Sequence, residues 1–314
     1  MENNETKTND STVNRCGFIA LVGAPNAGKS TLLNRVVGSK ISIVTPKVQT
    51  TRTRVTGIMM HKQSQLIFID TPGIFKPQKT LDKAMVRAAW NGAGDADIVA
   101  LLVDARKGLG DDTKMILQGL KQRQGRTVLL INKIDTVSKD QLLTLTSLLT
   151  QDTEFEQVFM ISAKNGDGVD DVLNYFSEHV PEGIWMYPED QISDVPMRML
   201  AAEVTREKLM LSLQNELPYQ LMVDTEKWED RKPTRRERKG SILINQVVYV
   251  SNENHKRIVV GKQGQGLKKV GEMARKELAW MMDKPVHLFL FVKVAENWQN
   301  KRDHYQMIGL DFPS

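Results

Sequence analysis

The chain has 314 residues, enough for about two domains with sizeable cores. With 40% apolar and 26% charged residues it has the composition of a folded protein, and its one cysteine, Cys16, excludes a disulfide framework or a zinc site of several thiolates. The 43 Lys and Arg against 38 Asp and Glu give +5, unevenly placed: 181–230 holds 11 acidic and 4 basic residues, while 231–276 holds 13 basic ones.

No window approaches the roughly 20 unbroken apolar residues of a membrane-spanning helix. The polar start has no apolar stretch ahead of a cleavage site, so the expectation is a cytoplasmic protein without a signal peptide. Residues 1–14 are rich in Asn, Thr and Glu and predict a frayed tail. Four apolar runs follow at 18–22, 65–69, 98–103 and 127–131, with a shorter fifth at 158–161. Stretches of helical period stand at 30–37, 112–122, 141–149 and 168–179. Continuous apolar runs alternating with helices predict an α/β fold with a mostly parallel sheet covered on both faces. Residues 183–197, with Pro188 and Pro196, read as a linker that permits several domain arrangements. The pattern then changes to a long helix at 196–213, strands near 219–226 and 242–251, a short helix at 255–259, a Gly-rich turn and a helix to 282. A strand at 286–294 and a final helix complete a smaller α+β unit. The expected division is tail 1–14, first domain 15–182, linker 183–197 and second domain 198–314.

Directly after the first run stands Gly23-Ala24-Pro25-Asn26-Ala27-Gly28-Lys29-Ser30-Thr31, with the spacing GxxxxGK[ST]. Between a buried strand and a helix, such a loop turns backbone N–H groups onto a polyphosphate, where the helix dipole also favours negative charge. Lys29 reaches the outer phosphates and the Ser30 hydroxyl binds Mg²⁺. Three further segments select guanine. Asp70-Thr71-Pro72-Gly73 closes the second run, placing a carboxylate near Mg²⁺ and a Gly amide near a γ-phosphate. Asn132-Lys133-Ile134-Asp135 closes the fourth, and the Asp135 carboxylate accepts from guanine N1 and N2, a pair of donors adenine lacks. Ser162-Ala163-Lys164 ends the fifth and closes over the base. Each motif is weak alone; four in order at strand C-termini form a strong constellation.

With these residues the sequence resembles the translation-factor-like P-loop GTPases. Within that class it is similar to the Era family, through GAPNAGKST, the following Val48-Gln49-Thr50-Thr51-Arg52 and a second domain downstream, over roughly 16–312. The resemblance implies a Thr that ligands Mg²⁺ beside Ser30 and Asp70. Thr50 and Thr51 are the candidates, and aligning the Thr-Arg step favours Thr51, with Thr45 and Thr53 read as surface loop. Many GTPases place a water-orienting Gln after the DxxG motif, but here Ile74 stands there, so intrinsic hydrolysis should be slow. Family resemblance offers a compensation in which Asn26 helps hold K⁺ beside the phosphates. Lys29, Thr51, Gly73 and Asn26 are thus the expected catalytic set, with Ile74 counted among the GTP contacts.

In the second domain, Arg257-Ile258-Val259-Val260-Gly261-Lys262-Gln263-Gly264 followed by Leu267-Lys268-Lys269 matches the core of a KH domain: helix, GxxG loop, helix. The glycines let backbone lie close to single-stranded nucleic acid, with the lysines, Arg257 and Arg275 on phosphates and Ile258, Val259 and Leu267 as an apolar floor with the adjacent strand. The strand preceding the GxxG helices is similar to the type II KH order of the Era family. That resemblance implies a monomeric GTPase that binds the 3′ region of 16S rRNA and aids 30S subunit assembly. Two other readings stand beside it: an RNA-binding scaffold with negligible turnover, kept alive by Ile74, and a signalling GTPase peripheral to the cytoplasmic face of the inner membrane. The latter draws on the basic run 231–239.

The five His residues lack metal-ligand spacing, and Met59-Met60 and Met281-Met282 read as strand and helix core. Asp97, Asp104 and Asp111 read as capping or solvated residues, and Cys16 as inert.

Overall fold

The computed structural model describes residues 13–235 and 237–312. Residues 1–12 of the expected tail and Arg236 of the basic run lie outside the described residues.

The first half runs β1 (Arg15–Gly23), α1 (Lys29–Val37), β2 (Val55–His61), β3 (Ser64–Asp70), α2 (Thr80–Gly94), β4 (Ile98–Asp104), α3 (Asp111–Lys121), β5 (Arg126–Asn132), α4 (Lys139–Thr150), β6 (Gln157–Ile161) and α5 (Val169–His179). Its six-stranded sheet has the order β2-β3-β1-β4-β5-β6 and is parallel except for the β2–β3 hairpin. Alternation decides the two cores. Ile19 and Leu21 of β1 face one way, onto Leu32 and Leu33 of α1 and Phe176 of α5. Ala20 and Val22 face the other way, onto Ala89 of α2, Ile116 of α3 and Leu145 of α4. The C-terminal ends of β1, β3, β5 and β6 share one edge of the sheet, where α/β folds bind ligands.

The sequence marks β2 only at Met59-Met60, read as strand core, and helix α2 not at all. The Gly57 and His61 interruptions of β2 and the Ala-rich stripe of α2 carry a weak apolar signal.

Residues 183–197 are not a free linker. The buried Gln65 amide holds them: its Oε1 accepts the N–H groups of Met186 (2.8 Å) and Tyr187 (3.0 Å), and its Nε2 donates to Tyr187 O (2.7 Å). Further along, Ile58 N–H donates to Ile192 O at 2.9 Å, and Trp185 and Tyr187 pack on Cys16 and Ile67.

The second half comprises α6 (Met197–Ser212), β7 (Leu221–Arg231), β8 (Ser241–Val250), α7 (Glu253–Val260), α8 (Gln265–Met282), β9 (Val286–Val294) and α9 (Arg302–Met307). In its sheet β8 is central, antiparallel to β7 and parallel to β9. Ile242, Ile244, Val248 and Val250 of β8 face helices α6, α7 and α8, and Gln246 on that same face is satisfied by Thr205 (2.6 Å) and Thr225 (3.1 Å). A further cluster joins the halves: Leu81 and Met85 of α2 pack with Met222, Trp298, Tyr305 and Leu310. Among the described residues no helix is long and apolar enough to cross a membrane.

Candidate nucleotide and RNA sites

The loop between β1 and α1 wraps a cavity of about 390 Å³ lined by Asn26, Lys29, Ser30, Thr51, Gly73 and Lys133 among others. Gly28 opens α1 at φ 104°, and a Cβ there would stand 2.2 Å from Asn132 Nδ2, so only glycine fits. Lys29 is buried, and its Nζ donates to Gly23 O (3.0 Å) and Ala24 O (3.2 Å). Burial lowers its pKa to about 8, against the pull of Asp70.

Ser30, Thr51 and Asp70 converge. Ser30 Oγ donates to Asp70 Oδ2 at 2.6 Å and lies 2.8 Å from Thr51 Oγ1, which is itself 3.4 Å from the carboxylate. Thr50 turns away, its hydroxyl bonded to Thr45 Oγ1 and Lys47 O at 2.7 Å each, and Thr45 is buried, not a surface residue as expected. Ser42, which the sequence did not single out, donates to Asp70 Oδ2 at 3.0 Å. Burial pushes the Asp70 pKa up, while Lys29 and the hydroxyls of Ser30, Ser42 and Thr51 pull it down. Its Oδ1 is buried without a partner. A spare carboxylate oxygen among hydroxyls is a donor set that fits a hard, oxygen-seeking cation such as Mg²⁺.

The guanine end is held by staples. Asn132 is buried, its Nδ2 donating to Ala27 O (2.8 Å) and its Oδ1 accepting from Ala163 N–H (2.9 Å), so it joins phosphate loop to base loop. Asp135 accepts from Ser162 Oγ at 2.7 Å. Lys133 Nζ donates to Asn26 O (2.6 Å) and Asp104 Oδ2 (2.7 Å). Asp104 is therefore an ionic anchor, not merely a strand-end cap. Burial opposes its charge, yet bonds from Arg106 and Lys133 outweigh this and hold its carboxyl below the usual range. Arg35 of α1, also missed, donates to the carbonyls of Ala163 (2.6 Å) and Lys164.

Other expected contacts point inward. Ile74 is buried in the sheet core and its N–H donates to Gly23 O at 3.1 Å, so its side chain does not face the cavity. Thr71 is buried with its hydroxyl on Leu21 O (2.8 Å). Asn26 sits at φ 64° and its Nδ2 donates to Pro46 O at 2.9 Å, bridging the phosphate loop to the 38–54 segment. Cys16 is buried, and burial raises its thiol pKa. Among the described residues no group of three or more His, Cys, Asp or Glu could hold a metal.

In the second half, α7, the Gly261–Gly264 turn and α8 form a helix–GxxG–helix corner. Gly264 has φ 77° with open space where a Cβ would be, whereas a Cβ on Gly261 would meet Gly266 N at 2.9 Å. Arg257, Ile258, Lys262, Gln263, Lys268 and Lys269 are exposed around the corner and Leu267 is half-buried. Val259 is 2% exposed and packs in the core, so its side chain is removed from the expected base floor. The strand beside this corner is β9, not the preceding β8: a groove of about 420 Å³ is lined by Gly264, Leu267, Lys268, Arg275, Leu288, Phe289 and Leu290. The β9 residues were missed because they follow the motif in sequence.

A P-loop guanine-nucleotide domain joined to a helix–GxxG–helix RNA-binding domain is the class these sites define. The family model described as "50S ribosome-binding GTPase" matches residues 18–133, and the one described as "KH domain" matches 216–299. The chain is 53% identical to GTPase Era of Sinorhizobium medicae, over 95% of this chain and 94% of that one. It is 50% identical to GTPase Era of Mesorhizobium japonicum, over 98% of each. Two solved structures at 36% identity cover 94% of this chain and 99% of theirs: a point variant of Aquifex aeolicus Era bound to GDP·AlF4⁻ (TM-score 0.87) and Era in complex with MgGDPNP and nucleotides 1506–1542 of 16S ribosomal RNA (TM-score 0.88). The chain belongs to the Era family of GTPases: a GTP-hydrolysing enzyme with an RNA-binding KH domain.

Proposed function

We propose that this GTPase binds single-stranded RNA of the 16S 3′ region through the groove between α8 and β9, and that GTP binding and hydrolysis time that contact during 30S assembly. The observation carrying the reading is the meeting of Ser30, Thr51 and Asp70, which closes phosphate loop, 38–54 segment and DxxG motif on one point. A relative of the same architecture is described with MgGDPNP and 16S nucleotides together. Residues 15–182 form the nucleotide unit and 198–314 the RNA unit. Phosphate release measured with and without a 16S 3′ fragment tests the reading: RNA-responsive release supports it, and no release under either condition leaves only a scaffold.

Ser30 and Thr51 hydroxyls would hold Mg²⁺, with Asp70 behind them, and the cation would supply charge neutralisation for the bound polyphosphate. Lys29 places its ammonium against the outer phosphate oxygens, the Gly73 N–H donates to the γ-phosphate, and phosphate-loop amides stabilise the spread negative charge as water attacks. The Asp135 carboxylate selects guanine. Ile74 supplies no group to orient water, which favours slow intrinsic turnover. Asn26 lines the nucleotide cavity with its Nδ2 donating to Pro46 O, which leaves its Oδ1 as the oxygen it would offer K⁺ as a second cation. Faster turnover in K⁺ than in Na⁺ is expected; equal rates remove the cation from the account.

The chain acts as a monomer in the cytoplasm. Peripheral association with an anionic membrane rests on the exposed Arg231, Lys232, Arg235, Arg238 and Lys239, and co-sedimentation with anionic liposomes tests it.

A further inference from the structure

Residues 38–54 contain neither helix nor strand, so partners alone fix their path. On one side those partners belong to the nucleotide cavity: Asn26, Ser30 and Asp70, as described above. On the other side they belong to the RNA-binding half. Arg206 of α6, 1% exposed, donates to Thr50 O while Glu203 holds its guanidinium through Nε (2.7 Å) and Nη2 (2.5 Å). Arg52, 2% exposed, reaches the opposite way and donates to Leu221 O (2.7 Å) and Tyr219 O (3.0 Å), its guanidinium 5.9 Å from the Trp298 ring centre. Thr51 thus lies between two residues that are each anchored to the second domain.

The start of the segment is tied as well. Glu207, the neighbour of Arg206, accepts from Val44 N–H (3.0 Å) and Lys40 Nζ (2.7 Å). Lys40 and Lys208 also pair with Glu277 of α8, the helix that begins at the GxxG turn. A four-charge cluster therefore connects the nucleotide segment to the helix that carries the RNA loop.

We propose that Arg206 and Glu207 are positioning residues for the GTPase reaction, which dock the RNA-binding domain against the 38–54 segment and thereby hold Thr51 closed on Ser30 and Asp70. Ordering this segment costs conformational entropy, and the docked domain reduces that cost before nucleotide arrives. Linkage is reciprocal: a triphosphate with Mg²⁺ that engages Thr51 tightens the docking by the same factor by which docking favours the triphosphate. A diphosphate leaves Thr51 without its ligand and gains nothing from the docking.

The inference rests on Thr51 as the Mg²⁺ ligand, and the test separates the two. Affinities for GDP and for GDPNP, both with Mg²⁺, are measured by fluorescence on the full-length wild type, Arg206→Lys and Thr51→Ala. Lysine keeps the charge of Arg206 but has no planar fork to hold both Glu203 oxygens while reaching Thr50 O. The expected result is GDP affinity within about twofold of wild type and GDPNP affinity reduced on the order of tenfold in Arg206→Lys, within the usual range of coupling. Thr51→Ala should lose the GDPNP preference outright. If Thr51→Ala loses it and Arg206→Lys keeps it, the positioning role is wrong while the Mg²⁺ reading stands. If Thr51→Ala also keeps it, the Mg²⁺ reading and the inference built on it fall together. Should Arg206→Lys prove unstable by thermal melting, the same comparison on Glu207→Gln, which retains an acceptor for Val44 N–H but not the charge for Lys40, decides in the same way.

Discussion

Two side chains of the nucleotide cavity give predictions with a definite sign. Lys29 has a pKa of about 8 in the fold against 10.5 for an ordinary lysine, because burial disfavours its ammonium. Between those values the unfolded chain binds more protons, so this group's contribution to stability rises with pH across that window. Phosphate oxygens return Lys29 to the charged form, and GTP binding near pH 8.5 should therefore take up a proton. Calorimetry in two buffers of different ionisation enthalpy should show binding enthalpies that differ; identical enthalpies would mean that Lys29 is charged throughout. Asp135 is freed for guanine by little more than one hydrogen bond to Ser162. Asp135→Asn should cost GTP about 2–3 kcal/mol, since one amide oxygen replaces a charged acceptor for two donors, and competition against ATP and xanthosine triphosphate should show strict guanine preference relaxed. Retained strict preference would take Asp135 out of the base pocket.

At the scale of elements, the turn at Gly261–Gly264 and the packing of β2 against α1 are the most exposed to test. Gly264 has open space beside it but a φ of 77°, so Gly264→Asp costs about 1–2 kcal/mol of left-handed backbone strain without a clash, while setting a carboxylate where phosphates approach. RNA affinity should fall at least tenfold with GTP affinity unchanged, as read by filter binding; unchanged RNA affinity would remove the loop from the interface. Gly57 on β2 is the opposite case. A Cβ there would stand 2.5 Å from Leu33 and 2.8 Å from Ile41 and Val37, so Gly57→Ala should destabilise by roughly 1–3 kcal/mol in denaturant unfolding. The strands β1, β3, β4 and β5 were legible because each is a continuous apolar run, and β1, β3 and β5 also end in a motif. Strand β2, beyond Met59-Met60, and helix α2 were not, since a single Gly and an alanine stripe blur their periods. The same limit applies within the site. Lys29, Ser30, Asp70 and Asp135 follow from spacing, whereas Ser42, Arg35 and the β9 floor reach the site from segments with no motif. Ile74 was legible as a missing glutamine, but its inward burial only the fold reveals.

On the scale of the whole molecule, the linker read from composition as permissive is pinned by Gln65 and Ile58, and the two halves meet through the 38–54 segment and the Trp298 cluster. Within the charge cluster, burial raises the Glu277 pKa, yet Lys208 and Lys40 outweigh it and leave the carboxyl below its ordinary 4.5. A depressed carboxylate stabilises above its unfolded pKa and loses that contribution as pH falls through the folded one. Docking of the halves should hold from neutral pH down to about 4.5 and weaken below it, reported by the emission of the buried Trp298; weakening centred near pH 6–7 would assign the docking to histidines instead. The most direct measurement is the affinity of the full chain for a single-stranded 16S 3′ fragment with Mg–GDPNP and with Mg–GDP. Tighter binding with the triphosphate, lost in Gly264→Asp, is the predicted result. Equal affinity in both nucleotides, or retention that Gly264→Asp does not weaken, would contradict the union of a guanine-nucleotide switch and an RNA groove in one chain.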